Sequence, residues 1–131
     1  MAEKAKLFGD RYALEQIMKA NDPETQKSWG RKVKGFNKWE WGKIAKHVVF
    51  EANWAKFTQH GDLKKQILAT GDKIFVEGSP TDCIWGVGLR CDDKRILDPV
   101  NWRGTNWLGE TITEIRRILK NEIFKRRKQN F

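Results

Sequence analysis

Trp41, Ile44, Ala45, Val48, Ala52 and Ala55 recur at steps of three and four residues, so a single helical face carries all six. No other stretch of the chain commits itself so firmly to one local structure. Asn37 precedes the run, with Glu40 three positions on, which is capping-box spacing with Asn in place of the usual Ser or Thr. The helix is expected to end near His60 and Gly61.

The flanking segments also favour helices. Ala2 to about Lys19 is rich in the good formers Ala, Glu, Lys, Leu and Met, and Gly9 interrupts it. "NDPE" starts a second helix, with Asp22 as N-cap and Pro23 at the first helical position. It runs to about Val33, where "KGFN" breaks it. A shorter helix follows Gly61, with Leu63, Ile67 and Leu68 inward and a glycine stop at Thr70-Gly71. The last helix starts near Trp107 or Leu108 and carries the stripe Leu108, Ile112, Ile115 and Leu119.

One segment departs from this pattern. "KIFVE", Lys73 to Glu77, is short, apolar and β-branched, which predicts a strand. A strand needs partners for its backbone groups. Either "CIWGVGL" supplies them, or another part of the sheet lies outside this sequence. The predicted fold class is therefore α+β, predominantly α-helical, with a small β element. No repeat, low-complexity tract or linker divides the chain, and 131 residues fit one domain.

Charged residues make up 33% and hydrophobic residues 39%, the balance of a soluble globular chain. No run approaches the roughly 18 apolar residues that span a membrane. The start, "MAEKAKLFGD", is polar, so no secretory signal is read and a cytoplasmic protein without a membrane partner is expected. Cys83 and Cys91 form no CxxC, and His47 and His60 lie near neither. That spacing argues against a structural zinc site, and no metal is expected. Two reduced thiols are expected, with a disulfide left open.

The net charge of +9 attracts polyanions: nucleic acid, a phosphorylated ligand, or both. Part of the excess sits in the tail "KNEIFKRRKQNF", Lys120 to Phe131. A solvated helix end and a phosphate contact both fit it.

Chemistry is best placed in "SPTDCIWGVGL", Ser79 to Leu89. Loops that follow strands often bind ligands. Asp82 would stabilise or activate a polar group there, and Trp85 would stack on a ring. The alternative is that Asp82 caps a turn and Trp85 is core. "GTNWLGE", Gly104 to Glu110, is a second candidate. Its helix N-terminus suits an anion, or Asn106 is a plain N-cap. It is no P-loop, because no Lys-Ser or Lys-Thr follows the glycine. Arg31, in "WGR", either grips phosphate with its planar fork or is a surface charge. Trp41 lies on the apolar stripe, and Trp39 is freer to face a ligand. No nucleophile elbow or Ser-His-Asp set is supported by local spacing.

Taken in order, "MAEKAKLFGD", "GRKVKGF", "ILATGD", "VEGSPTDCIWGVGL", "RGTNWLG" and the final "EIR" helix resemble the NADAR family, named for NAD and ADP-ribose, which includes the YbiA-like proteins. The likeness covers about Met1 to Leu119. It implies one domain over 1–131, with its core in 1–119 and a basic tail in 120–131. It implies an N-glycosidase that adds water across a sugar C1–N bond with no metal or organic cofactor. YbiA-like members act on early riboflavin-pathway intermediates, and other members remove ADP-ribose from guanine in nucleic acid. The implied partner is thus an ADP-ribose-containing or ribosylamine substrate, with nucleic acid as a further candidate; a non-catalytic module that binds ADP-ribose or nucleic acid is the alternative outside catalysis.

Carried over by position, Asp82 takes the catalytic role, as a carboxylate facing an oxocarbenium-like state. Lys4, Arg31, Trp41, Trp85, Gly86, Gly88 and Asn106 bind substrate. Gly30, Gly104, Leu108 and Gly109 also match the family's motifs. The family pattern begins with a further segment, holding a strand and a motif like S-x-E-Q-Y-M whose Glu belongs to the site. That segment is not in this sequence, so the expectation is of a chain lacking the family's N-terminal piece.

Overall fold

The computed structural model describes residues 1–129. The chain divides into two compact units, Met1–Val48 and the remainder from Val49, with the boundary inside one long helix.

The first unit holds α1 (Ala2–Leu7), α2 (Arg11–Lys19), α3 (Pro23–Arg31) and the start of α4 (Lys38–Gln59). The single helix expected over Ala2 to Lys19 is two, because Gly9 takes φ +68, a conformation that side chains resist. Asp10 then restarts the helix. Its Oδ1 accepts the Ala13 N–H at 2.9 Å, as an N-cap does. Its Oδ2 accepts the Lys34 N–H at 2.9 Å and ties down the chain beyond α3. Asp22 caps α3 through the Thr25 N–H at 2.7 Å. Ala5, Ala13, Ile17 and Val33 form the core of this unit, with Phe8, Leu14 and Trp29 against it. Asn37 caps α4 by accepting the Trp39 and Glu40 amides. Glu40 does not complete a capping box but pairs with Lys43 at 2.6 Å. Along the predicted stripe of α4, Ala45 is buried, Trp41, Ile44, Val48 and Ala55 are half-buried, and Ala52 is exposed.

The second unit comprises the rest of α4, α5 (Gly61–Ala69) and α6 (Trp107–Gln129). Phe57, Ile67, Ile115 and Leu119 make its core, flanked by Trp54, Leu63, Phe75 and Ile112. Ile115 and Leu119 are fully buried, each worth about 1.5–3 kcal/mol of removal from water. Between α5 and α6, residues 70–106 hold only two 3-10 turns, Lys94–Leu97 and Pro99–Asn101. The tail continues α6 to Gln129; Asn130 and Phe131 lie outside the described residues.

The α+β expectation is overturned. Among the described residues there is no strand and no sheet, and the fold is helical. Lys73 to Glu77 is irregular chain whose polar groups are met one by one. Buried Arg116 donates from Nη1 to the Lys73 carbonyl at 2.7 Å and to Thr70 Oγ1 at 2.8 Å. Asn106 donates from Nδ2 to the Phe75 carbonyl at 2.9 Å and accepts the Glu77 N–H at 3.0 Å. The Glu77 carbonyl accepts the Val87 N–H at 3.0 Å. Side chains therefore meet the demand for backbone partners that a neighbouring strand would otherwise satisfy.

Candidate active site

The two glycine-bearing stretches of the sequence meet in the second unit. The carbonyls of Cys83, Ile84, Trp85, Gly86 and Val87 accept, in that order, the N–H groups of Thr105, Trp107, Leu108, Asn106 and Arg103, at 2.8–3.1 Å. Helix termini leave their first amides without intrahelical partners. Here the loop carbonyls satisfy those of Trp107 and Leu108 at the start of α6. These two amides are therefore spent on the protein itself rather than turned toward an anion.

The glycines make this approach feasible. A Cβ at Gly104 would overlap the Gly86 carbonyl oxygen and crowd the Cys83 backbone. A Cβ at Gly86 would stand 2.8 Å from the Asp82 carbonyl oxygen and 2.9 Å from that of Glu77. Gly88 takes φ +68, with Arg103 Cβ 2.9 Å from where its own would be. Gly86 and Gly88 are both buried, so what they contribute is close backbone packing.

Asp82 is half-buried. Its Oδ1 accepts the Ile84 N–H at 2.9 Å and the Trp85 N–H at 2.8 Å, which fixes the carboxylate in orientation. Its Oδ2 accepts no hydrogen bond from the described residues. Trp85 is half-buried and meets Trp107 edge to face, ring centroids 5.5 Å apart at 86°. Such pairs contribute about 0.5–1.5 kcal/mol beyond area burial. Asn106 is buried and sits at φ +52, a left-handed conformation that Asn tolerates better than most residues. Both ends of its amide are engaged by the Phe75 and Glu77 backbone, so it holds the chain leading into the loop. Its side chain does not cap α6.

Asp82, Trp85, Gly86, Gly88 and Asn106 thus come together around one loop. Lys4, Arg31 and Trp41 belong to the first unit. The Lys4 ammonium donates to the Gly30 carbonyl at 2.7 Å and lies 4.0 Å over the Phe36 ring. Burial there pushes its pKa below the ordinary lysine value. Next to Gly30, Arg31 is exposed and pairs with no carboxylate among the described residues. Trp41 is half-buried on α4, and Trp39 is 73% exposed.

Beside the loop lies a cavity of about 420 Å³ lined by Gly78, Pro80, Arg90, Cys91 and Asp92; Asp82 and Trp85 do not line it. Arg90 and Asp92 pair there through two hydrogen bonds. Cys91 points its Sγ at the Gly78 carbonyl, 3.4 Å away, and both cysteines are free and exposed. Sequence reasoning missed Trp107 as the partner of Trp85, and Arg116 and Phe75 as parts of the support. Arg116 lies in the final helix, yet no local pattern separates a buried arginine from a surface one.

Among the described residues, no helix is long and apolar enough to cross a membrane. The NADAR domain family model matches residues 1–120. An N-glycosidase of Acanthamoeba polyphaga mimivirus is 41% identical over 116 residues, covering 88% of this chain and 68% of its own. Protein irg-1 of Caenorhabditis elegans is 41% identical over 122 residues, covering 91% and 57%. N-glycosidase YbiA of Escherichia coli (strain K12) is 29% identical over 119 residues, covering 91% and 68%. The chain spans 57% to 68% of the length of these relatives.

Proposed function

The chain belongs to the NADAR family, and on that footing we propose that it is an N-glycosidase, a hydrolase that splits a sugar C1–N bond with water. The observation that carries this reading is Asp82, a carboxylate held by two amides through one oxygen with the other left to act. Cleavage of such a bond builds positive charge on C1 and the ring oxygen. A carboxylate already oriented toward that charge lowers the barrier without having to reorganise. The leaving nitrogen takes a proton and the water oxygen bonds to C1.

For the substrate we favour ADP-ribose on a guanine of nucleic acid. The support is the chain's net charge of +9, since phosphate contacts dominate affinity for nucleic acid. Trp85 would stack on the base, a contact worth about 1–3 kcal/mol. As the resemblance implies, Arg31 and Lys4 of the first unit would hold phosphate; the Lys4 ammonium gives one donor to the Gly30 carbonyl and keeps two more. An intermediate of riboflavin synthesis is the competing small substrate, for which the charge has no use.

The test is a mass-spectrometric assay on DNA carrying ADP-ribosylated guanine. Free ADP-ribose and restored guanine are expected with the wild type and absent with Asp82→Asn. Equal release by both proteins removes Asp82 from the mechanism. Hydrolysis of a ribosylamine riboflavin intermediate, with the DNA left intact, turns the substrate assignment to the small molecule.

A further inference from the structure

The family match stops at residue 120, but α6 runs on without a break to Gln129. This extension carries the run Lys125, Arg126, Arg127 and Lys128, against Glu122 as its single acid. The side chains of Lys125, Arg126 and Lys128 are exposed and pair with no carboxylate among the described residues. By contrast, Lys120, at the junction, is held by Asp72 at 2.8 Å and by the Gly71 carbonyl. Among the described residues, the last buried one of the helix is Leu119. The extension therefore contributes little to the core, and Lys125, Arg126 and Lys128 have no carboxylate to neutralise them among the described residues.

We propose that this helical extension is a docking element for duplex nucleic acid, gripping phosphates on both sides of a groove. A helix advances about 100° per residue. Lys125 and Lys128 therefore stand about 60° apart, while Arg126 points about 160° away from Lys128, so the outer two lie on opposite flanks with Lys125 between them. A flat anionic lipid surface meets one stripe of a helix, and it also asks for a continuous apolar face. The extension has only Ile123, half-buried, and Phe124, whose ring lies under the Lys128 ammonium at 4.7 Å. A helix lying in a major groove, about 12 Å wide, has phosphates on either side. Arg126 and Lys128, on opposite flanks of the helix, suit that setting. Cations also favour a helix C-terminus for its dipole, and the salt series on the duplex separates that local effect from phosphate contact.

The inference rests on the nucleic-acid reading of the substrate, and its test needs no turnover. Binding of a fluorescent, unmodified duplex by the 131-residue chain is followed by anisotropy across a salt series. The comparison protein is Lys125→Gln/Arg126→Gln/Lys128→Gln, whose changes are all exposed; circular dichroism checks its helix content. Each phosphate contact adds about 0.9 to the slope of log affinity against log salt, so the variant's slope should be shallower by about 2–3. An unchanged slope overturns the proposal. So does capture of the wild type by phosphatidylserine vesicles without binding to the duplex. ADP-ribosylated guanosine serves as a small substrate in parallel. If neither protein hydrolyses it while the slopes differ, the ADP-ribosylguanine substrate reading fails and the docking surface stands.

Discussion

Asn106 Oδ1 receives the backbone N–H of Glu77 at 3.0 Å, across 29 positions of sequence, while its Nδ2 donates to the Phe75 carbonyl at 2.9 Å. One buried amide thus bonds to alternate residues of an irregular segment, much as a neighbouring strand would. Asn106→Asp keeps the acceptor for Glu77 but sets an oxygen against the Phe75 carbonyl. Leaving a buried group without its partner costs about 1–3 kcal/mol. Asn106→Ala loses both bonds and should cost more. Urea unfolding orders the three proteins; equal stability of all three would falsify the clamp.

Gly109 sits where α6 passes the same segment. A Cβ there would overlap the Phe75 carbonyl oxygen and stand 2.5 Å from both ends of the Asn106 amide. Overpacking typically costs about 1–3 kcal/mol, and a backbone obstacle cannot turn aside as a rotamer does. Gly109→Ala should therefore fall at or above the top of that range, even though alanine is the better helix former by about 1 kcal/mol. A melting temperature equal to the wild type would show that the segment has room to shift.

These contacts explain what was and was not legible in the sequence. Asp22-Pro23 and the existence of α4 act within a few residues, so local pattern carries them, whereas Gly9 reads only as an interruption where the structure has two helices, and Ala52 of the predicted stripe is exposed. "KIFVE" has strand composition, but composition does not say whether a neighbour exists to pair with it. Its partners are Asn106, Arg116 and Val87, and no spacing rule joins them to it. The same limit hid the pairing of carbonyls 83–87 with amides 103–108. Each motif was visible alone, but the hydrogen bonds that join them are long-range. Asn before a helix is commonly its N-cap, whereas the left-handed backbone of Asn106 goes with a side chain that reaches the Phe75–Glu77 segment instead.

Acid should weaken the first unit through Asp10. The Ala13 and Lys34 amides, in that order, hold its carboxyl below the ordinary value of 3.8. A depressed folded pKa contributes stability that is present above the unfolded value and lost as pH falls through the folded one. Asn at this position retains one acceptor but turns an N–H₂ toward a backbone donor. The gap in melting temperature between the wild type and Asp10→Asn should thus be widest above pH 3.8 and close as the solution is acidified below it. A gap independent of pH would mean that the charge of Asp10 contributes nothing.

Substitution can separate the loop contacts of Asp82 from its proposed role in catalysis. Oδ1 shapes the loop by accepting the Ile84 and Trp85 amides, whereas the proposed chemistry needs the negative charge. Asn retains an oxygen for the two amides but has no charge. Ala removes both. Asp82→Asn keeps an acceptor for both amides, so it should lose less stability than the Ala variant, and it should lose at least roughly a hundredfold in turnover. Asp82→Ala should lose that turnover and, in addition, about 0.5–2 kcal/mol of stability, the scale of a lost cap. The informative result is the pair taken together. If Asn destabilises as much as Ala, the loop depends on the charge itself and turnover cannot be assigned to chemistry. If Asn turns over normally, the carboxylate is a turn cap and the bond-breaking group must be sought elsewhere.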